Sequence, residues 1–104
     1  MTYCSISDVK TRLRITTSDW DLEIEDLISE AQSVIDNRLK SYTATPLTTV
    51  PEIIRYSCAD IAAGLFKMRR VETEEEGKVL RKEGLEKLDE YIDQTYHREA
   101  LRRA

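Results

Sequence analysis

The sequence contains few residues that break regular structure, with 3 glycines and 2 prolines among 104 residues. A β-sandwich of comparable size needs a turn signal roughly every 8 to 12 residues. The charged fraction of 35% is high and the hydrophobic fraction is 40%, a balance typical of helical proteins whose outer faces contact water. The composition therefore favours an all-α fold, and the length is that of one domain.

Cysteine and histidine are also scarce, which limits the chemistry open to the chain. Cys4 and Cys58 are far apart, neither belongs to a C-x-x-C motif, and no apolar signal segment begins the sequence. We expect both to be reduced thiols in a cytoplasmic product, with Cys58 acting as a small core hydrophobe. His97 is the single histidine, and no nearby carboxylate is placed to orient it, so no catalytic residue is predicted.

Excess positive charge and long apolar runs are lacking as well. The formal net charge is -4, whereas general duplex binding requires a basic surface. No run approaches the roughly 18 apolar residues of a membrane span. These features argue against general DNA binding and against a membrane partner, although a local basic patch is compatible with the total charge.

Apolar side chains recur at helical spacing in four segments, which predicts a compact bundle of about four helices. The first helix is short, and Ser5 or Ser7 is available to cap its start. The second is long, running from Asp19 to about residue 41, with Thr17 or Ser18 as its predicted cap.

The opening of the second helix has a competing interpretation as a strand, because residues 20–25 alternate apolar and acidic side chains. Six carboxylates lie between Asp19 and Glu30 with no basic residue among them. The helix macrodipole favours such charges at a helix N-terminus, so we predict a helix here. Leu22 then falls on the outer face, as a tolerated exposed leucine or a subunit contact.

Residues 51–70 form the predicted centre of the domain. Pro51 suits the first position of a helix, and apolar residues cover so much of this helix that it needs partners on more than one side. The C-terminal helix is predicted to open with a capping box at residues 73–76 and carries Gly77 and Gly84 on its apolar face. Each glycine costs about 1 kcal/mol relative to alanine, which a close approach of another helix would offset.

The domain organisation is one helical domain over residues 1–96, followed by a basic arm at 97–104. The arm either frays or orders on a partner. Its candidate docking residues are Arg98, Leu101, Arg102 and Arg103. The threonine-rich residues 42–50 are predicted to be a surface connection, with a strand added between subunits as the alternative.

Two acidic patterns have the spacing of metal sites. Residues 19–30 place carboxylates at calcium-loop positions 1, 3, 5, 7 and 12, but position 6 is Ile24 where the loop requires glycine. The predicted last helix has carboxylates at the spacing of the magnesium ligands in all-α nucleotide pyrophosphohydrolases, although they face away from its apolar stripe. Those four are Glu83, Glu86, Glu90 and Asp93. Both patterns are better explained as solvated faces, with a favourable Glu83–Lys87 pair, and no cofactor is expected.

A DNA-binding helix-turn-helix over residues 5–41 is disfavoured for a related reason. Its second helix would have to present its N-terminal residues to the major groove. Those residues are acidic, so duplex phosphates would repel them.

Three segments carry a resemblance to a known family. Residues 9–15 (VKTRLRI), the acidic start at Asp19 and residues 27–35 (LISEAQSVI) resemble the opening of small tailed-phage head-to-tail connector proteins, also called head-completion or adaptor proteins. Residues 50–62 (VPEIIRYSCADIA) resemble the second half of that pattern, in which a Val-Pro step opens the central helix. Residues 65–70 (LFKMRR) match the aromatic and Arg-Glu ending of the family only approximately.

The resemblance implies a four-helix structural protein rather than an enzyme, made in the cytoplasm of a bacterial host and located at the head-tail interface of the virion. It implies assembly into a homo-oligomeric ring beneath the portal protein, which extends the DNA channel and docks a tail-side stopper or tail protein. Double-stranded DNA would pass through without sequence-specific binding. Two alternatives stay open, a small helical DNA-packaging or regulatory DNA-binding protein and a Mg-dependent nucleotide pyrophosphohydrolase.

A ring pairs one face of a subunit with a different face of the next. The acidic start of the second helix and the basic end of the central helix are the candidate complementary faces. The candidate interface residues are Asp19, Asp21, Leu22, Glu23, Glu25, Asp26, Lys67, Arg69 and Arg70.

Overall fold

The computed structural model describes residues 2–97, which form four α-helices and no strand. Helix α1 spans Ile6–Leu13, α2 Asp21–Leu39, α3 Glu52–Met68 and α4 Glu74–Ile92. A 3-10 turn, Val71–Thr73, joins α3 to α4, and a π-helical turn, Asp93–His97, follows α4. The predicted all-α bundle is confirmed, and residues 42–50 form a connection as predicted.

Ser5, one of the two serines predicted as possible caps, is the N-cap of helix α1. The Ser5 hydroxyl accepts a hydrogen bond from the Asp8 N–H at 3.1 Å, and the Asp8 carboxylate accepts one from the Ser5 N–H at 3.0 Å. Partial burial opposes ionisation of Asp8, but hydrogen bonds from Ser5 and Arg55 outweigh it and hold its pKa below the ordinary value. Arg14, in the left-handed conformation with φ 58°, ends the helix.

The predicted cap of α2 is wrong, and the predicted cap of α4 is right only in its position. The N-cap of α2 is Trp20, not Thr17 or Ser18, and it makes no side-chain cap hydrogen bond. Thr73 is the N-cap of α4 as predicted, but the capping box does not form, because the Thr73 hydroxyl donates instead to the Lys67 carbonyl at 2.8 Å. The Lys67 carbonyl, in the last turn of α3, also accepts the Arg70 N–H at 3.2 Å, and the 3-10 turn brings the Thr73 hydroxyl to the same oxygen.

Helix α3 is the centre of the bundle and contacts α1, α2 and α4. Pro51 lies just before it, with φ -59°, as the N-cap rather than the first helical residue. The buried residues of α3 occupy nearly its whole circumference, which confirms the predicted central position. They are Ile54, Ser57, Cys58, Ala59, Asp60, Ile61, Ala62, Ala63, Gly64 and Phe66.

Helices α3 and α4 are packed closely enough for their backbones to touch. A Cβ atom built on Gly77 would lie 2.6 Å from the Gly64 carbonyl oxygen and 2.6 Å from the Met68 nitrogen. Farther along the same contact, the Ser57 hydroxyl donates to the Gly84 carbonyl at 2.7 Å. The close helix approach predicted from Gly77 and Gly84 is therefore confirmed.

Candidate assembly surface

The acidic start of α2 and the basic end of α3 lie against each other within one subunit. Arg70 Nη2 is 3.0 Å from Glu23 Oε2, and Arg69 Nη1 is 3.4 Å from Glu23 Oε1. Arg69 Nη2 also lies 3.9 Å from Glu30 Oε2. The two predicted complementary faces thus contact each other inside the subunit. A charge pattern in the sequence predicts that two faces attract, but it does not say whether they belong to the same subunit or to neighbouring subunits.

Aromatic rings hold Arg70 in this position. Its guanidinium carbon lies 3.6 Å from the centroid of the Phe66 ring and 4.7 Å from that of Trp20. Trp20 and Phe66 meet edge to face with centroids 5.7 Å apart, and Arg70 Nη1 donates to the Phe66 carbonyl at 2.7 Å. Arg70 therefore holds the end of α3 against the start of α2. Its contacts stabilise the fold of the single subunit.

Two further candidate interface charges are paired internally. Lys10 Nζ lies 2.6 Å from Asp21 Oδ1, joining α1 to α2. Lys67 Nζ lies 3.3 Å from Glu76 Oε2 of α4. Both pairs are partly exposed, so each is expected to add little to stability.

The candidate residues that remain available form an acidic and apolar surface around the start of α2. Asp19, Glu25 and Asp26 are exposed and have no ion-pair partner within residues 2–97. Leu22 is 80% exposed, as its outer-face prediction requires, and Val71, next to Arg70 in sequence, is 90% exposed. We call Asp19, Leu22, Glu25 and Asp26 the α2 face.

Tyrosines occupy the other end of α2, next to the turn that follows α4. Tyr42 and Tyr96 are stacked with ring centroids 5.1 Å apart, and Tyr91 meets Tyr96 edge to face. A surface groove of about 540 Å³ adjoins this cluster and is crossed by an Arg38–Asp89 ion pair of 2.5 Å. The predicted docking residues of the arm, Arg98, Leu101, Arg102 and Arg103, lie outside the described residues.

A buried carboxylate that sequence reasoning missed connects three helices. Asp60 of α3 is 4% exposed, and its two oxygens accept hydrogen bonds from Arg12 Nε of α1 and Lys87 Nζ of α4. Lys87 therefore pairs with Asp60 and not with Glu83, because a buried carboxylate needs a partner more than an exposed one does. The available signal was one acidic residue inside the otherwise apolar run of residues 57–66.

The acidic patterns with metal-site spacing do not converge. The four α4-side carboxylates, at positions 83, 86, 90 and 93, are exposed, which confirms their predicted outward orientation. The calcium-loop spacing falls largely on helix α2, which keeps its carboxylates apart. Within the described part of the chain no group of three or more histidine, cysteine, aspartate or glutamate residues could hold a metal ion, and no helix is long and apolar enough to cross a membrane.

The chain matches a model of a known protein family. A family model described as phage gp6-like head-tail connector protein matches residues 3–95. No curated protein and no solved structure matches the chain. The match covers all four helices.

Proposed function

The chain belongs to the phage gp6-like head-tail connector protein family, a structural and non-enzymatic family, and from this membership we propose that it forms the ring between portal and tail. Membership makes the chain a structural component of the phage particle. In the proposed role, copies of the chain assemble beneath the portal, extend the DNA channel and dock the tail or a stopper protein. The observation that carries the proposal is the family match over nearly the whole described fold.

The charge of the chain is compatible with a channel through which DNA slides. A protein that neutralises phosphates binds the duplex in a salt-dependent way, and such binding would slow passage. The net charge of -4 disfavours such binding by the chain as a whole. We therefore propose contact with passing double-stranded DNA without sequence-specific binding.

For the ring contact we propose the α2 face on one subunit and a basic surface on the next. Lys67, Arg69 and Arg70 are the basic candidates, and Arg69 is the most available of them, with 51% of its side chain exposed despite its contacts with Glu23 and Glu30. The Leu22 side chain would bury apolar area at the centre of the contact. Such a heterologous contact repeats from subunit to subunit, and it gives a ring when the rotation between neighbouring subunits closes.

Replacement of the charges of the α2 face tests this contact without breaking the internal Glu23 pairs. We expect the Asp19→Lys, Glu25→Lys, Asp26→Lys variant to lose assembly, because it would present positive charge to a basic neighbour. Size-exclusion chromatography with light scattering, alone and with the portal ring at low salt, measures assembly. Circular dichroism checks that the monomer stays helical.

The matched control is Glu83→Lys, Glu86→Lys, Glu90→Lys, which makes the same change in net charge on the exposed side of α4. It is expected to assemble like the unchanged chain. Normal assembly of the α2-face variant, or an equal loss in both variants, would contradict the proposed contact. A chain that binds duplex DNA but neither itself nor the portal would favour the DNA-binding alternative.

A further inference from the structure

The two cysteines, distant in sequence, lie side by side in the core. Cys4 Sγ and Cys58 Sγ are 3.3 Å apart, and the residues are 4% and 0% exposed. Both are free thiols. Since a disulfide places its sulfurs about 2.05 Å apart, the two atoms need to approach by only about 1.3 Å.

The segment that carries Cys4 is anchored by its neighbour Tyr3. The Tyr3 N–H donates to Gln32 Oε1 at 3.0 Å, and its hydroxyl donates to Asp36 while accepting the Leu47 N–H at 2.8 Å. Burial, and then the bond to Asp36, raise the pKa of Tyr3 to about 12. Tyr3 is therefore an uncharged donor near neutral pH, and it positions Cys4 beside α3.

The two thiols differ in their access to solvent. A surface groove of about 630 Å³ is lined by Cys4 together with Ser5, Ser7 and Ile28, whereas Cys58 does not line it. The hydrogen bond with Cys4, followed by burial, raises the pKa of the Cys58 thiol. A small reagent therefore reaches Cys4 first, and Cys58 is placed to react second.

We propose that Cys4 and Cys58 form a dithiol site that closes to a disulfide when the chain meets a small-molecule disulfide oxidant. The Cys4 thiolate attacks one sulfur of the oxidant, which forms a mixed disulfide and releases one thiolate. The Cys58 sulfur then attacks the Cys4 sulfur and loses its proton in the same step, which forms the Cys4–Cys58 bond and releases the second thiolate. Two electrons pass to the oxidant, and the two thiol protons pass to the released thiolates.

The bond would join residues 54 positions apart and so restrict the unfolded chain over α1 and α2. The biological role of this disulfide rests on the proposed function. A virion component is made in a reducing cytoplasm and later meets oxidising surroundings, where the disulfide can form. The disulfide would then fasten the N-terminal segment to α3 after release of the particle.

Oxidation of the purified chain with oxidised glutathione tests the chemistry. We expect the two thiols available to alkylation under denaturing conditions to fall to none, with a mass loss of about 2 Da and a linked Cys4–Cys58 peptide. The Tm is expected to rise by about 10 °C and to return on reduction. A stable glutathione adduct without the linkage, a disulfide between chains, or two thiols that stay unreacted in the folded chain would overturn the proposal.

Single variants assign the order of attack. Cys58→Ala is expected to trap a glutathione adduct on Cys4, whereas Cys4→Ser is expected to react slowly at Cys58; the reverse pattern would overturn the assigned order. The measurements on the unchanged chain stand even if a variant fails to fold. They need neither portal nor ring, so their failure is distinguishable from failure of the proposed function. Phage particles purified without reductant should contain the linked Cys4–Cys58 peptide. Finding only the reduced peptides in these particles would overturn the proposed role of the disulfide after particle release.

Discussion

At the scale of single residues, Asp60 is the buried charge that connects α1, α3 and α4. Its side chain is 5% exposed and contacts Arg12 and Lys87, which come from different helices. The buried member of the cluster is Asp60, and removing its charge leaves Arg12 and Lys87, 24% and 37% exposed, without their common partner. The Arg38–Asp89 pair has the same chemistry, but its side chains are 41% and 60% exposed.

Asp60→Asn is expected to lower the free energy of unfolding by about 2 to 3 kcal/mol, since the amide keeps the shape of the carboxyl but removes its charge. Urea denaturation followed by circular dichroism measures the loss. The control Asp89→Asn should cost at most about 1 kcal/mol, because its pair is solvated. Equal midpoints for the two variants would show that the Asp60 cluster is not a stability centre.

The hydrogen-bond and ion-pair partners of single residues were the hardest feature to predict from the sequence. The Ser5 cap could be predicted because both partners lie within four positions of each other. The partners of Thr73, Lys87 and Glu23 depend on which helices pack together. Residues close in sequence do not reveal that packing. The Cys4–Cys58 contact was missed for the same reason.

At the scale of elements, the α3–α4 contact is the main packing interface of the bundle. Gly64 and Gly77 face each other so closely that a methyl group on either would meet backbone atoms of the opposite helix. Backbone atoms cannot rotate away as side chains do, so the space at these positions is fixed. The cost of glycine within a helix is offset here by contact area.

Gly77→Ala is expected to destabilise the chain by about 1 to 2 kcal/mol, because the overpacking cost exceeds the gain of about 1 kcal/mol in helix propensity. Thermal denaturation followed by circular dichroism provides the measurement. Lys82→Ala, at an exposed position of the same helix, should change stability by less than about 0.5 kcal/mol. A higher Tm for Gly77→Ala than for the unchanged chain would contradict the close contact.

The elements themselves could largely be predicted from apolar periodicity. The helix at residues 20–25 was favoured over the strand because the macrodipole accommodates its carboxylates, and α2 does begin at Asp21. The glycines on one face of α4 correctly indicated a close helix neighbour. Periodicity does not say which two helices pair, so the identity of α3 as that neighbour came from the structure.

At the scale of the whole molecule, the α2 face is an acidic and apolar surface whose carboxylates have no ion-pair partner within residues 2–97. The basic candidates at the end of α3 help to hold the subunit together, so their reversal would disturb folding as well as assembly. The carboxylates of the α2 face form no ion pair within the described residues. Substitutions there therefore test assembly without removing an ion pair that stabilises the subunit. The family could be inferred from diffuse patterns over α1 to α3, and the match to residues 3–95 confirms it.

The central claim is that this chain joins the head of the particle to its tail, and the most direct measurement is electron microscopy of particles made without it. Deletion of its coding sequence from the phage or prophage, followed by lytic growth, is expected to yield heads without tails together with unattached tails. Supplying the unchanged chain in trans should restore tailed particles, and the Asp19→Lys, Glu25→Lys, Asp26→Lys variant should not. Normal tailed, infectious virions from the deletion would contradict the account.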